Sequence, residues 1–134
     1  MTDPKSLIPR DKHDHERVEA VFALGYPAIA SIVPQLLSWT QDPNWPVAVP
    51  LAKILASIGA PIVTDIAGIL AGTDGGWKYA CINTIIKRMP KIAAAQLTPQ
   101  LERLAIAPTD NDRLEEVDLA AKETLDWLRL GTAL

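Results

Sequence analysis

Leu24-Gly25-Tyr26-Pro27 and Ile58-Gly59-Ala60-Pro61 decide the fold. Each closes an apolar run and opens the next. A glycine just past a helix end takes the left-handed conformation that completes the last turn. A proline in the first turn of the following helix loses no hydrogen bond, because its missing N–H has no intrahelical partner there. Gly-x-Pro therefore reads as a stop and restart between two antiparallel helices. Pro27 and Pro61 stand 34 residues apart, Met89-Pro90 is a looser copy 29 after Pro61, and Trp45 and Trp77, which each open a run, are 32 apart. Periods of this size mark arrays of helix pairs.

Working outward, apolar spacing predicts seven helices, over 13–24, 27–39, 45–58, 61–71, 76–89, 90–107 and 112–130. Ile82, Ile85, Ile86 and Met89 fall at i, i+3, i+4 and i+7, which is one face of a helix. Leu51, Leu55, Ile82, Ile86, Val117 and Leu125 are the expected core, with Leu114, Ala121 and Leu128 on the inward stripe of the last helix. Asp112 is its expected cap, completed by Glu115 three residues on. Pro34, Pro50 and Pro99 fall inside these spans. They are read as kinks, with a break of the second helix near Pro34 as the alternative. The fold class is therefore all-α, a stack of about three helix pairs plus a C-terminal capping helix, in one domain over 1–134.

Composition supports this. Of 134 residues 49% are hydrophobic but only 5% aromatic, so the core is aliphatic. That mix suits close-packed helices better than strands. Net charge is -3, which argues against a bulk field for phosphate backbones. The one cysteine, Cys81, lies in an apolar run and reads as a buried hydrophobe. No run reaches the length of a membrane span and the N-terminal stretch lacks the apolar core of a signal peptide, so the expected location is the cytoplasm with no membrane partner.

Asp42-Pro43-Asn44-Trp45-Pro46-Val47-Ala48, followed by Leu55, Ile58 and Gly59, resembles a HEAT-like repeat. Such repeats run Asp-Pro-Asp-x-x-Val-Arg at these offsets. Ala48 stands where the arginine belongs, so the Asp–Arg ladder of many such repeats is missing. The chain also resembles a small bacterial family of unknown function. The likeness lies in Leu7 to Val18, in Asn44-Trp45-Pro46-Val47-Ala48, in Trp77-Lys78-Tyr79 and in Leu114 to Asp118. The resemblance implies a right-handed HEAT-like stack and no settled activity.

Chemistry-bearing patterns are sparse. His13 and His15 are two apart, so on a helix they point about 200° away from each other and cannot share an ion. Gly72-Thr73-Asp74-Gly75-Gly76 lacks the lysine and serine of a phosphate loop. Neither a metal nor a cofactor is expected, and the weight falls against an enzyme. Lys87, Arg88 and Lys91 cluster near a helix end, where positive charge complements the helix dipole.

What remains is a polar and aromatic strip. Asp14, Arg17, Asp42, Asn44, Trp45, Trp77, Lys78 and Tyr79 stand at or near the starts of first helices, where stacking would align them along one edge. Tryptophan, tyrosine and arginine dominate binding hot spots; the other reading of Trp45 and Trp77 is that they wedge between neighbouring helix pairs as core. The expected function is thus a non-catalytic protein-interaction module, with immunity or adaptor roles as analogies of class only. A second copy of the chain is one conceivable partner. Nucleic-acid binding is the alternative, and a continuous basic groove through Lys78, Lys87, Arg88 and Lys91 would favour it.

Overall fold

Gly25 and Gly59 both adopt positive φ, 71° and 76°, and each ends a helix. The stop signals read in the sequence are therefore real. In the computed structural model, which describes residues 3–132, every regular element is helical. Among the described residues there are nine α-helices and no strand. They are α1 (His15–Leu24), α2 (Val33–Ser38), α3 (Ala48–Ile58), α4 (Val63–Leu70), α5 (Gly75–Thr84), α6 (Lys91–Ala95), α7 (Thr98–Ile106), α8 (Asp110–Leu114) and α9 (Val117–Thr132). A short 3₁₀ turn at Pro4–Leu7 precedes them, and others at Ala30–Ile32, Ala60–Ile62 and Ile86–Arg88 lie between them.

The expected helices are real but more finely divided, and proline is one reason. Pro34 is the second residue of α2 and Pro99 the second of α7, while Pro50 is the third of α3. First-turn N–H groups have no intrahelical acceptor, so proline is tolerated there and a kink is not needed. The chain breaks just upstream instead. The expected second helix begins as a 3₁₀ turn and becomes α only at Val33. The sixth splits into α6 and α7. The third starts at Ala48, not Trp45, because Trp45 sits in a turn whose N–H donates to the Asp42 carbonyl at 3.1 Å.

The last expected helix also splits. Thr109, not Asp112, is the N-cap of α8, and Asp112 is the third residue of a reciprocal capping box with it. Glu115 ends α8, and Glu116, at φ 60°, turns the chain into α9. That break takes Leu114 out of the inward stripe and leaves it 78% exposed.

The core runs through most of these elements, from Leu7 to Leu128. Leu51, Leu55, Ile82, Ile86, Val117 and Leu125 are all buried, as expected. Removing a fully buried leucine such as Leu55 down to alanine costs about 2–5 kcal/mol, because a cavity remains as well as lost apolar burial. α1 packs on α3, α3 on α5, and α5 on α9, while α7 lies along α9. Among the described residues no single helix is long and apolar enough to cross a membrane. Ala48–Ile58 and Ala60–Leu70 pass that test only together, and they meet at a bend of 110°.

Candidate functional site

The polar strip divides into residues that hold the fold and residues that face solvent. Asp14 belongs to the first group. As the N-cap of α1 it accepts from the Arg17 N–H. It also accepts from the Arg10 N–H at 2.9 Å and the Arg10 Nε at 3.0 Å. The side-chain and backbone bonds from Arg10 hold its carboxyl at about 2, below the ordinary carboxylate range. Arg17 is half-buried and donates from Nη1 to the Ile8 carbonyl at 3.2 Å, fastening the N-terminal segment to α1.

The Asp42 turn comes next. Its carboxylate accepts the Asn44 N–H at 2.9 Å, and the Val47 N–H donates to the Lys12 carbonyl at 3.1 Å. That last bond brings the turn against the segment before α1. Trp45 is half-buried and meets Trp39 edge-on, with centroids 5.5 Å apart. Trp77 is half-buried, and its indole N–H donates to Thr40 Oγ1 at 3.4 Å. Both tryptophans therefore pack between neighbouring elements. Asn44 and Tyr79 are exposed.

Lys78 departs most from expectation. The sequence predicts it on the surface strip, but it is 2% exposed and its Nζ donates to Asp112 Oδ1 at 2.8 Å. Asp112 is itself fully buried, and its other carboxylate oxygen accepts the Thr109 N–H at 3.0 Å. Burial alone would raise this carboxyl. The bonds from Lys78 and Thr109 outweigh it and hold the group below its ordinary value. The reason for the misplacement is that α8, a short separate helix, lies against α5 and offers Lys78 a partner. Nearby, Asn111 Oδ1 accepts the Gly75 N–H at 2.9 Å.

The surface that is open lies elsewhere. Between α1 and α3 runs a groove of about 700 Å³, walled by Val18, Phe22 and Tyr26 on one side and by Pro50, Ile54 and Ile58 on the other. Phe22 is 70% exposed and Tyr26 44%. Glu19 and Lys53 also line it, from α1 and α3, and neither makes an ion pair among the described residues. The groove lies outside the strip expected from the sequence. Spacing gave no signal for it: Phe22, the chain's single phenylalanine, stands four residues after Val18 and so reads as part of the Val18–Val21 stripe.

Chemistry at other points is muted. Cys81 is buried, which pushes its thiol up to about 12 and leaves it without thiolate at neutral pH. Among the described residues no three His, Cys, Asp or Glu side chains gather as a metal site would require. The basic cluster is engaged locally. Lys87 Nζ lies 2.9 Å from Glu123, Lys91 Nζ lies 5.2 Å from the Trp127 ring centroid, and Arg88 donates to the Thr84 carbonyl at 3.2 Å.

No curated protein matches the chain. A family match extends from residue 7 to 125, most of the length and all of the site just described. The chain belongs to the family described as Domain of unknown function (DUF5071).

Proposed function

We propose that the chain is a HEAT-like helical-repeat module, stacked with the right hand of that class, that binds protein without catalysis. The observation that carries the reading is the groove between α1 and α3, with Phe22 and Tyr26 exposed on its wall. Large aromatics left in water beside an apolar cleft are the usual centre of a protein contact. The succession of contacts from α1 to α3 to α5 supports the stack, because repeats bury their faces against neighbours.

The contact surface is this groove rather than the whole predicted strip. Asp14, Arg17, Trp45, Trp77 and Lys78 are occupied within the fold, while Asp42, Asn44 and Tyr79 are reachable from solvent. Nucleic acid has less to stand on, since Lys78 is buried and the cations near the end of α5 are drawn to local partners. The immunity or adaptor role is an analogy of class to which no residue speaks.

The test is co-purification with a tagged chain from the cells that make it. Phe22→Ser is compared with Ile92→Ser, which removes a still more exposed hydrophobe outside the groove. A protein retained by wild type and Ile92→Ser but lost with Phe22→Ser supports the reading, an untagged second copy included. Equal retention by all three removes the groove as the contact. Retention abolished by nuclease restores the nucleic-acid alternative.

A further inference from the structure

We propose that the occupant of the α1–α3 groove is the same groove of a second copy, so that the chain forms a two-fold dimer. This rests on the reading of the groove as a protein contact and names its partner. Three observations carry it. First, Phe22 is both a wall of the groove and 70% exposed, so the same residue can line one cleft and enter its twin. A two-fold contact demands that self-complementarity, because each patch meets its own image.

Second, the charges are self-complementary. The groove carries one acid, Glu19 on α1, and one base, Lys53 on α3. They sit on facing walls without bonding to each other, and neither has another ion-pair partner among the described residues. A two-fold axis through the groove brings Glu19 of each copy toward Lys53 of the other, so both charges are answered at once. A strongly acidic or basic foreign segment would satisfy one charge and oppose the other.

Third, the rest of the groove is mainly apolar, with Val18, Ile29, Ile54 and Ile58 in its lining beside Ser57. A stable interface buries about 800 Å² per partner. The groove supplies the centre of such a contact, and the outward faces of α1 and α3 supply its rim. Formation of the dimer depends on protein concentration, as any association of two copies does.

The experiment is sedimentation velocity on the full chain, raised from about 1 μM to about 1 mM, a window that captures weak association. Wild type shifts from monomer to dimer. Phe22→Ser weakens association by at least about tenfold, as loss of a central anchor does. Glu19→Lys and Lys53→Glu each self-associate less than wild type, since each homodimer then opposes like charges twice. An equimolar mixture of those two variants regains the dimer as a heterodimer, because both contacts become opposite-charge pairs. That recovery also controls for folding, since two misfolded chains would not rescue one another.

A monomer at every concentration overturns the proposal. So does a dimer indifferent to Phe22→Ser, or a mixture no stronger than its components. If wild type is monomeric yet still retains a different protein in a Phe22-dependent way, the dimer fails and the groove's role in protein binding stands. If both measurements are negative, the two fall together.

Discussion

Lys78 and Asp112 form an ion pair at 2.8 Å with both side chains essentially out of water, joining α5 to α8 across 34 residues of sequence. Removing one member leaves the other as an unanswered buried charge. Lys78→Met is expected to destabilise by about 3–5 kcal/mol. The double variant Lys78→Met/Asp112→Asn keeps an oxygen for the Thr109 cap and lies closer to wild type than the single one. Urea denaturation of the cycle checks this, and strictly additive losses would contradict the pairing.

Two glycines predict opposite signs for one substitution. A Cβ on Gly75 would run into Asn111 Oδ1 and also meet the Asn111 carbonyl at 3.1 Å. The Asn111 side chain is held there by the Gly75 N–H, so it cannot yield without losing a bond. Gly75→Ala should cost about 1–3 kcal/mol. A Cβ on Gly68, within α4, meets nothing within 4 Å. Gly68→Ala should stabilise by about 0.5–1 kcal/mol, because it restricts the unfolded chain. Paired thermal melts decide both.

Asp14 sets an acid limit. Its carboxyl is held at about 2 in the fold against an ordinary 3.8. A depressed carboxyl contributes stability that is complete above the unfolded value and disappears as pH falls through the folded one. The pH-dependent part of the stability gap between wild type and Asp14→Asn is therefore complete above about pH 5 and shrinks progressively as pH falls through about 4 and 2. Urea midpoints for the two proteins across that window measure it. A gap that persists unchanged at pH 2 would disprove the bonding of Asp14 to Arg10.

Cys81 should be inert until the protein opens. Its thiol is buried and pushed up to about 12, so neither access nor thiolate is provided in the folded state. Reaction with an aromatic disulfide reagent at pH 8 is expected to follow the opening rate, and to become immediate in denaturant. Immediate reaction of the folded chain would place Cys81 on the surface.

How far the residues spoke for themselves differs by element. Gly25 and Gly59 gave away the helix ends, because positive φ is a local property that almost no other residue supplies. The core positions Leu55, Ile82 and Val117 were legible from spacing alone. The divisions at Val33, Thr98 and Glu116 were less so. Proline signals a first turn or a kink equally well, and a non-glycine residue at φ 60° leaves no mark in the sequence.

The site was less legible than the fold. Trp45 and Trp77 were legible as openers of apolar runs, but their contacts with Trp39 and Thr40 depend on which elements meet. By itself the sequence determined an all-α, aliphatic-cored chain with its stops at glycine, because helix periodicity and backbone freedom act over a few residues. Only the tertiary structure decided that Lys78 turns inward to Asp112 while Phe22 stays in water beside a groove. A charge is buried only where a distant partner answers it, and an apolar side chain is left exposed only where no neighbouring element covers it. Both depend on how the helices meet, which no local pattern encodes.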